Sequence, residues 1–279
     1  MALILDGRAV AQEIKNELKE YVANCPNQIS LTIVQVGDNP ASNTYVKNKC
    51  KACEEVGIVS TVNKLPRDIN EELLRTEIAF ENYLSHGLML QLPLPNGLNE
   101  RGLLDCIEAE VDADCLTTQS LGEFYSSNNP NIAPCTAQGI IDLLDYYNIP
   151  IEGKHAVVVG RSNIVGKPVA HLLTCRNATV TLCHSKTPNL SEYTKQADIL
   201  VVAIGKPKYI TADMIKNDAV VIDVGINRDE NGRLCGDVDF EQVEPVVSAI
   251  TPVPGGVGPM TIAELLKNTV KLYETIQND

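Results

Sequence analysis

Three runs, KHAVVVG (154–160), DILVVAIG (198–205) and AVVIDVG (219–225), are apolar at nearly every position. A strand with one face in water alternates apolar and polar residues. A short continuous run rich in valine and isoleucine marks a strand buried on both faces, the usual state of a parallel sheet covered by helices. The segments between these runs fit that requirement. VGKPVAHLLTCR (165–176) reads as a helix, ATVTLCHS (178–185) as a strand and LSEYTKQ (190–196) as a short helix. A strand over VSAITPVPG (247–255) and a final helix over MTIAELLKNTVKLYETI (260–276) complete this half.

The first half alternates in the same way. Residues 8–25 carry Val10, Ile14, Leu18 and Val22 at helical spacing. A strand follows at 29–37, then a helix over 42–57 that can start at Ser42 and stop at Gly57. VSTVNKL (59–65) is a strand, 70–86 a helix, GLMLQLPLP (87–95) a strand closed by prolines, and 99–109 a helix. After an irregular stretch at 126–135 comes a helix over 137–148. This order predicts an α/β protein with mostly parallel sheets, in two lobes that divide near 126–150.

Several classes of function are excluded at this stage. The formal net charge of −13 opposes binding to a phosphate backbone, so nucleic acid is not an expected partner. No apolar run approaches the roughly 18–20 residues that span a bilayer, which excludes a membrane role. The N-terminus meets Asp6 at once and has no basic region, so it does not read as a signal peptide, and a cytoplasmic protein is expected. The single C-x-x-C, Cys50 and Cys53, supplies two ligands and no zinc site, and it falls inside a helix rather than after a strand. Asp112 and Asp114 are too few for a metal, and none is expected.

VVVGRSNIVGKP (157–168) is a strand, a glycine turn and a helix start, with Ser162 and Val165 where a dinucleotide fingerprint has glycines. Open N–H groups at that helix start would favour a pyrophosphate. The next strand ends in His184, Ser185 and Lys186, with no acid to hold a ribose 2′-hydroxyl. Arg161 and Ser185 could instead hold a 2′-phosphate, which favours NADP over NAD. The strands ending in AIGKP (203–207) and DVGIN (223–227) place glycines at the carboxyl edge, where ligands of open α/β sheets bind. In the first half, Tyr45 and Lys49 share a helix face, and Gln91 stands on an apolar strand before two prolines.

Read together, YVKNK, LQLPLP, PCTAQG, GRSNIVGKP, TVTLCHSKT, AIGKP, DVGIN, GDVDF and TPVPGGVGPMT resemble the bifunctional methylenetetrahydrofolate dehydrogenase/methenyltetrahydrofolate cyclohydrolase family, in order and across nearly the whole chain. The resemblance implies a homodimeric enzyme of one-carbon metabolism. It implies a folate-side domain over 1–140, with 260–279 packing back on it, and a Rossmann-like NADP domain over 141–259, the two serving both steps in one cleft. Lys49 matches the family's catalytic lysine, Tyr45 its stacking tyrosine, Gln91 the partner of the lysine and Asp114 the pterin-holding aspartate. Leu92, Pro93, Gly255, Gly256 and Pro259 match folate-side positions. Gly160, Arg161, Ser162, Ile164, Val165, His184, Ser185, Ala203, Gly205, Ile226 and Thr251 match cofactor positions. The chemistry suits the residue types, since a lysine can take a proton from water only as the neutral amine, which burial or a neighbouring cation favours. The family's usual K-D-V-D-G-F is replaced by Val111, Asp112, Ala113, Asp114, Cys115, Leu116, and Ala137 stands for a proline.

Overall fold

The computed structural model describes residues 1–278. In chain order the elements are β1 (Leu3–Ile4), α1 (Gly7–Ala23), β2 (Ser30–Val36), α2 (Pro40–Val56), β3 (Val59–Leu65), α3 (Glu71–Glu81), β4 (Gly87–Leu90), α4 (Glu100–Leu104), α5 (Thr118–Ser126) and α6 (Cys135–Tyr146). There follow β5 (His155–Val159), α7 (Gly166–Cys175), β6 (Thr179–Cys183), α8 (Leu190–Thr194), β7 (Ile199–Val202), β8 (Val220–Asp223), β9 (Asn227–Arg228), β10 (Leu234–Cys235), α9 (Phe240–Val243), β11 (Ala249–Ile250) and α10 (Val257–Asn278).

The chain divides into two compact units. One comprises Gln12–Cys135 and Ile262–Asp279, built on a three-stranded parallel sheet in the order β3-β2-β4. Central β2 is buried on both faces. Leu31 and Ile33 join a core with Val46, Cys53 and Val56 of α2 and with Leu265, Leu266 and Leu272 of α10. Val34 and Val36 join a second core with Leu74 and Ile78 of α3. Each such fully buried side chain contributes about 1.5–3 kcal/mol.

The other unit comprises Met1–Ala11 and Thr136–Thr261. Its six-stranded sheet runs β1-β11-β8-β7-β5-β6, and all five pairings are parallel. The chain passes from β5 to β6 on one side and then to β7 on the other, so a topological switch point lies at β5, where ligands of such sheets bind.

The predicted apolar strands β5, β7 and β8 are present and buried. Other expectations change. The resemblance implies one domain over 1–140, but Met1–Ala11 groups with the larger sheet because Leu3 and Ile4 pair with Ala249 and Ile250. Helix α2 starts at Pro40 rather than Ser42, because the Asn39 side chain accepts the N–H groups of Ala41 and Ser42 and proline suits the first turn. The helix expected over 99–109 is α4 followed by a separate 3-10 turn at Ala109–Val111. α5 and the β9–β10 hairpin were not anticipated.

Candidate active site

Lys49 lies in the middle of a buried stripe of α2. Ser42, Val46, Lys49, Cys53 and Val56 recur every three or four residues and all face inward. Lys49 is 7% exposed. An isolated buried ammonium costs several kcal/mol unless polar groups receive it. Here the Nζ donates to Gln91 Oε1 at 3.1 Å and to Met89 Sδ at 3.1 Å. Both partners are neutral, and among the described residues no carboxylate pairs with the amine.

Gln91 follows β4, and its N–H donates to the Val34 carbonyl at 2.8 Å, extending the strand pairing by one residue. Its Nε2 donates to the Leu92 carbonyl at 2.7 Å, which turns Oε1 towards Lys49. Tyr45 stands one turn before Lys49 and is 38% exposed, leaving ring surface in the open. Burial of the rest of the side chain raises the pKa of its hydroxyl. A groove of about 860 Å³ opens at the carboxyl ends of this sheet, lined by Gly37, Asn39, Arg67, Pro93 and Asn96, among others. Of the expected folate contacts, its lining includes Pro93 alone.

The two acids of the altered segment have separate fates. Asp112 is 1% exposed, and its Oδ2 accepts the N–H groups of Leu116 and Thr117 at 2.9 and 2.8 Å. Burial raises its pKa. Asp112 therefore braces the loop, whereas Asp114 remains partly exposed. Cys115 has φ of 55°. That is the left-handed conformation glycine adopts freely, so the backbone path typical of a glycine survives here without one. Asn268 of α10 donates to the carbonyls of Ala113, the residue before Asp114, and Ala133 at 3.0 Å each. The Cys135 thiol donates to Asp114 Oδ1 at 3.5 Å. That thiol is fully buried, and burial raises its pKa well above the ordinary value, which keeps it protonated and inert. Met89, Asn268 and Cys135 were not singled out from sequence.

The expected cofactor residues lie in the other unit. Gly160 follows β5 with φ of 127°, and a Cβ there would collide with the Ala203 carbonyl. A Cβ on Gly166 would collide with the Gly160 carbonyl. These two glycines let α7 start directly against the end of β5. The expectation of open N–H groups at that start is corrected. Val165 and Gly166 donate to Ser162 Oγ at 3.2 and 3.3 Å, and Lys167 donates to the Ser162 carbonyl at 3.1 Å, so Ser162 caps the helix from within. Arg161 and Ile164 are exposed, and among the described residues the Arg161 side chain has no partner. After β6, the N–H of His184 donates to Thr187 Oγ1 at 2.9 Å, which closes a tight turn with Ser185 and Lys186 outward. Gly205 and Ile226 are exposed beyond β7 and β8, and Ala203 is half-buried. Thr251 is fully buried, and its hydroxyl bonds both main-chain groups of Asp223 at 2.7 and 3.3 Å, tying β11 to β8. Gly255, Gly256 and Pro259 belong to this same unit, with Gly255 at φ of 115° and its carbonyl accepting the Arg8 N–H at 3.1 Å. Among the described residues no group of three or more His, Cys, Asp or Glu could hold a metal ion.

A parallel α/β sheet with a glycine-lined turn at its switch point, together with a unit that buries a lysine beside a glutamine, defines a dinucleotide-dependent enzyme class. Comparison with known proteins narrows this. Residues 5–114 match the model for the tetrahydrofolate dehydrogenase/cyclohydrolase catalytic domain, and residues 134–277 match that for the NAD(P)-binding domain of the same family. The chain belongs to the tetrahydrofolate dehydrogenase/cyclohydrolase family. It is 50% identical over 286 residues to the bifunctional protein FolD of Bdellovibrio bacteriovorus, covering 100% of this chain and 99% of that one. It is 52% identical to the FolD protein of Lachnoclostridium phytofermentans, with 97% of each chain covered. Among solved structures, the bifunctional enzyme FolD of Campylobacter jejuni matches with a TM-score of 0.96 at 45% identity, covering 99% of this chain and 100% of that one. A Trypanosoma brucei methylenetetrahydrofolate dehydrogenase-cyclohydrolase complexed with NADP and an inhibitor matches with a TM-score of 0.94 at 38% identity, covering 100% and 99%.

Proposed function

We propose that the chain catalyses two successive steps on one folate. The first is oxidation of 5,10-methylenetetrahydrofolate to the 5,10-methenyl form with NADP. The second is hydrolysis of that form to 10-formyltetrahydrofolate. The observation that carries this reading is the Lys49 amine, buried and 3.1 Å from the Gln91 oxygen, in a chain of this family. Water adding to the methenyl carbon must lose a proton, which Lys49 accepts, and the bond from that carbon to N5 then breaks, N5 taking the second proton of the water and leaving the formyl group on N10. Gln91, fixed by its bond to the Leu92 carbonyl, orients the amine without adding negative charge. The cationic methenyl carbon favours a neutral amine beside it. Tyr45 offers a ring face to the aminobenzoate of folate. Asp114 accepts pterin N–H groups, and Leu92 and Pro93 bound the folate.

NADP, when bound, supplies the hydride acceptor of the first step. The residues present suit it: Gly160 and Gly166 allow close chain passage, no acid follows β6, and Arg161, Ser185 and Lys186 are exposed for a 2′-phosphate. Gly160, Ser162, Ile164, Val165, His184, Ala203, Gly205 and Ile226 complete the cofactor side. Thr251 contributes through the strand ends it ties together. The first step needs alignment rather than a side-chain acid.

The product would supply formyl groups for biosynthesis such as that of purines. All nine cysteines are free, which suits a reducing cytoplasm. No helix among the described residues is long and apolar enough to cross a membrane. A homodimer is supported by β3, an edge strand with Val59 and Val62 exposed, and by the exposed Phe80, Tyr83 and Leu84 nearby in sequence. The test is a paired assay following methenyltetrahydrofolate absorbance with NADP, with NAD and with neither. Oxidation that NADP supports better than NAD, with hydrolysis needing neither, is expected. Failure to oxidise the methylene form with both nucleotides overturns the reading.

A further inference from the structure

Two buried carboxylates stand at the carboxyl edge of the larger sheet, and the chemistry above uses neither. Asp223 ends β8 and is 3% exposed, and Asp237 follows β10 and is fully buried. A carboxylate in such a place needs donors. Those of Asp237 come from two loops. Its Oδ2 accepts the N–H groups of Ile204 at 2.6 Å and Gly205 at 3.0 Å. Its Oδ1 accepts the N–H of Lys206 at 2.7 Å and the Asn227 side-chain amide at 2.8 Å. Three successive main-chain N–H groups turned on one anion form a nest, and Gly205 supplies the left-handed residue it needs, with φ of 64°.

Asp223 in turn fixes Asp237. Its Oδ1 accepts the N–H groups of Gly225 and Asp237, and its Oδ2 that of Val238, each at 2.9 Å. A Cβ on Gly225 would overlap the Asp237 carboxylate, and one on Gly236 would overlap that of Asp223. The chain is therefore cut away around both acids.

The two loops so gathered carry Ala203, Gly205 and Ile226, assigned above to the cofactor. We propose that Asp237 is the positioning residue of the cofactor side, holding the loops after β7 and β8 in one arrangement through its four hydrogen bonds. It touches no reacting atom. The inference rests on the cofactor assignment of the previous subsection, and the experiment separates the two.

In Asp237→Asn the size is kept, but an amide nitrogen replaces one acceptor and faces donors. The KM for NADP is expected to rise at least about tenfold, with kcat at saturating NADP held within about threefold and the KM for the folate unmoved. Hydrolysis of methenyltetrahydrofolate, assayed without NADP, should remain at the wild-type rate. An unchanged KM for NADP overturns the proposal, and so does a parallel fall of both activities in a variant whose circular dichroism matches that of the wild type. Should Asp237→Asn not yield folded protein, Asn227→Ala decides, because it removes one donor and leaves the carboxylate. A rise of about threefold in the KM for NADP with unaltered hydrolysis supports the proposal, and no rise overturns it. A wild-type enzyme that does not reduce NADP sinks the cofactor assignment itself. A wild-type enzyme that does, with a KM that Asp237→Asn leaves in place, sinks the positioning role alone.

Discussion

At the scale of the residue, Lys49 shows how a charged side chain is recruited by the pattern around it. Val46, Cys53 and Val56 define an apolar stripe, and Lys49 occupies the stripe position between them. A lysine at a core position of an amphipathic helix is the signal that separates a buried amine from a solvated one. Lys49→Met keeps the volume and the apolar stem but removes the proton acceptor. Its hydrolysis of methenyltetrahydrofolate is expected to fall by about 10²–10⁴, with folate binding largely kept; the rate at saturating substrate and a direct binding titration check this. Undiminished hydrolysis would refute the role. On the cofactor side, Arg161 is exposed and has no intramolecular partner among the described residues. Arg161→Ala should therefore raise the KM for NADP about tenfold or more and leave that for NAD nearly unchanged, because only NADP carries the 2′-phosphate. Equal effects on the two would remove the phosphate assignment. Lys49, Gln91 and Arg161 stand out in the sequence as candidates because each is a conspicuous side chain in a recognisable segment. Met89, Asn268 and Asp237 do not. Met89 looks like core, and the donors and acceptors that give Asn268 and Asp237 their roles arrive from distant parts of the chain.

At the scale of the element, the strands buried on both faces were legible because burial writes itself as continuous apolar sequence, as in β5, β7 and β8. β11 falls inside the strand expected over 247–255, whereas nothing in the sequence marks β1 as a strand. Each is a two-residue strand that exists because of its neighbour, Leu3 opposite Ala249 and Ile4 opposite Ile250. The start of α2 was misplaced for a simpler reason: Asn39 and Ser42 are both good capping residues, and only the geometry shows that Asn39 accepts the first N–H groups while Ser42 turns inward. Asn39→Ala should cost about 1 kcal/mol through the lost cap, visible as a lowered denaturant midpoint with an unchanged slope. Because α2 carries both Tyr45 and Lys49, a fraying first turn should also raise the KM for folate. An unchanged midpoint would show that the Asn39 side chain contributes nothing to α2.

At the scale of the whole molecule, the edge of the three-stranded sheet bears on assembly. β3 pairs on one side only, with β2, and leaves Val59 and Val62 exposed. Placing a charge there is a standard means of blocking strand addition. Val62→Lys should convert a dimer to a monomer in light scattering while leaving the secondary structure intact. A wild-type protein that is already monomeric at micromolar concentration would refute the homodimer.

The division of the chain has a consequence for how the protein is made. Neither unit is continuous: residues 1–11 belong with 136–261, and 12–135 belong with 262–279. As the chain leaves the ribosome, Leu3 must wait for Ala249, and the core around Leu31 and Ile33 stays open until Leu265, Leu266 and Leu272 of α10 have been synthesised. Pairings this distant in sequence close late and leave apolar surface uncovered in the interim. Translation that stops near Thr261 yields a nascent chain with every strand of the larger sheet while the Lys49 unit still lacks most of its last helix, and such a species leaves the apolar core around Leu31 and Ile33 uncovered.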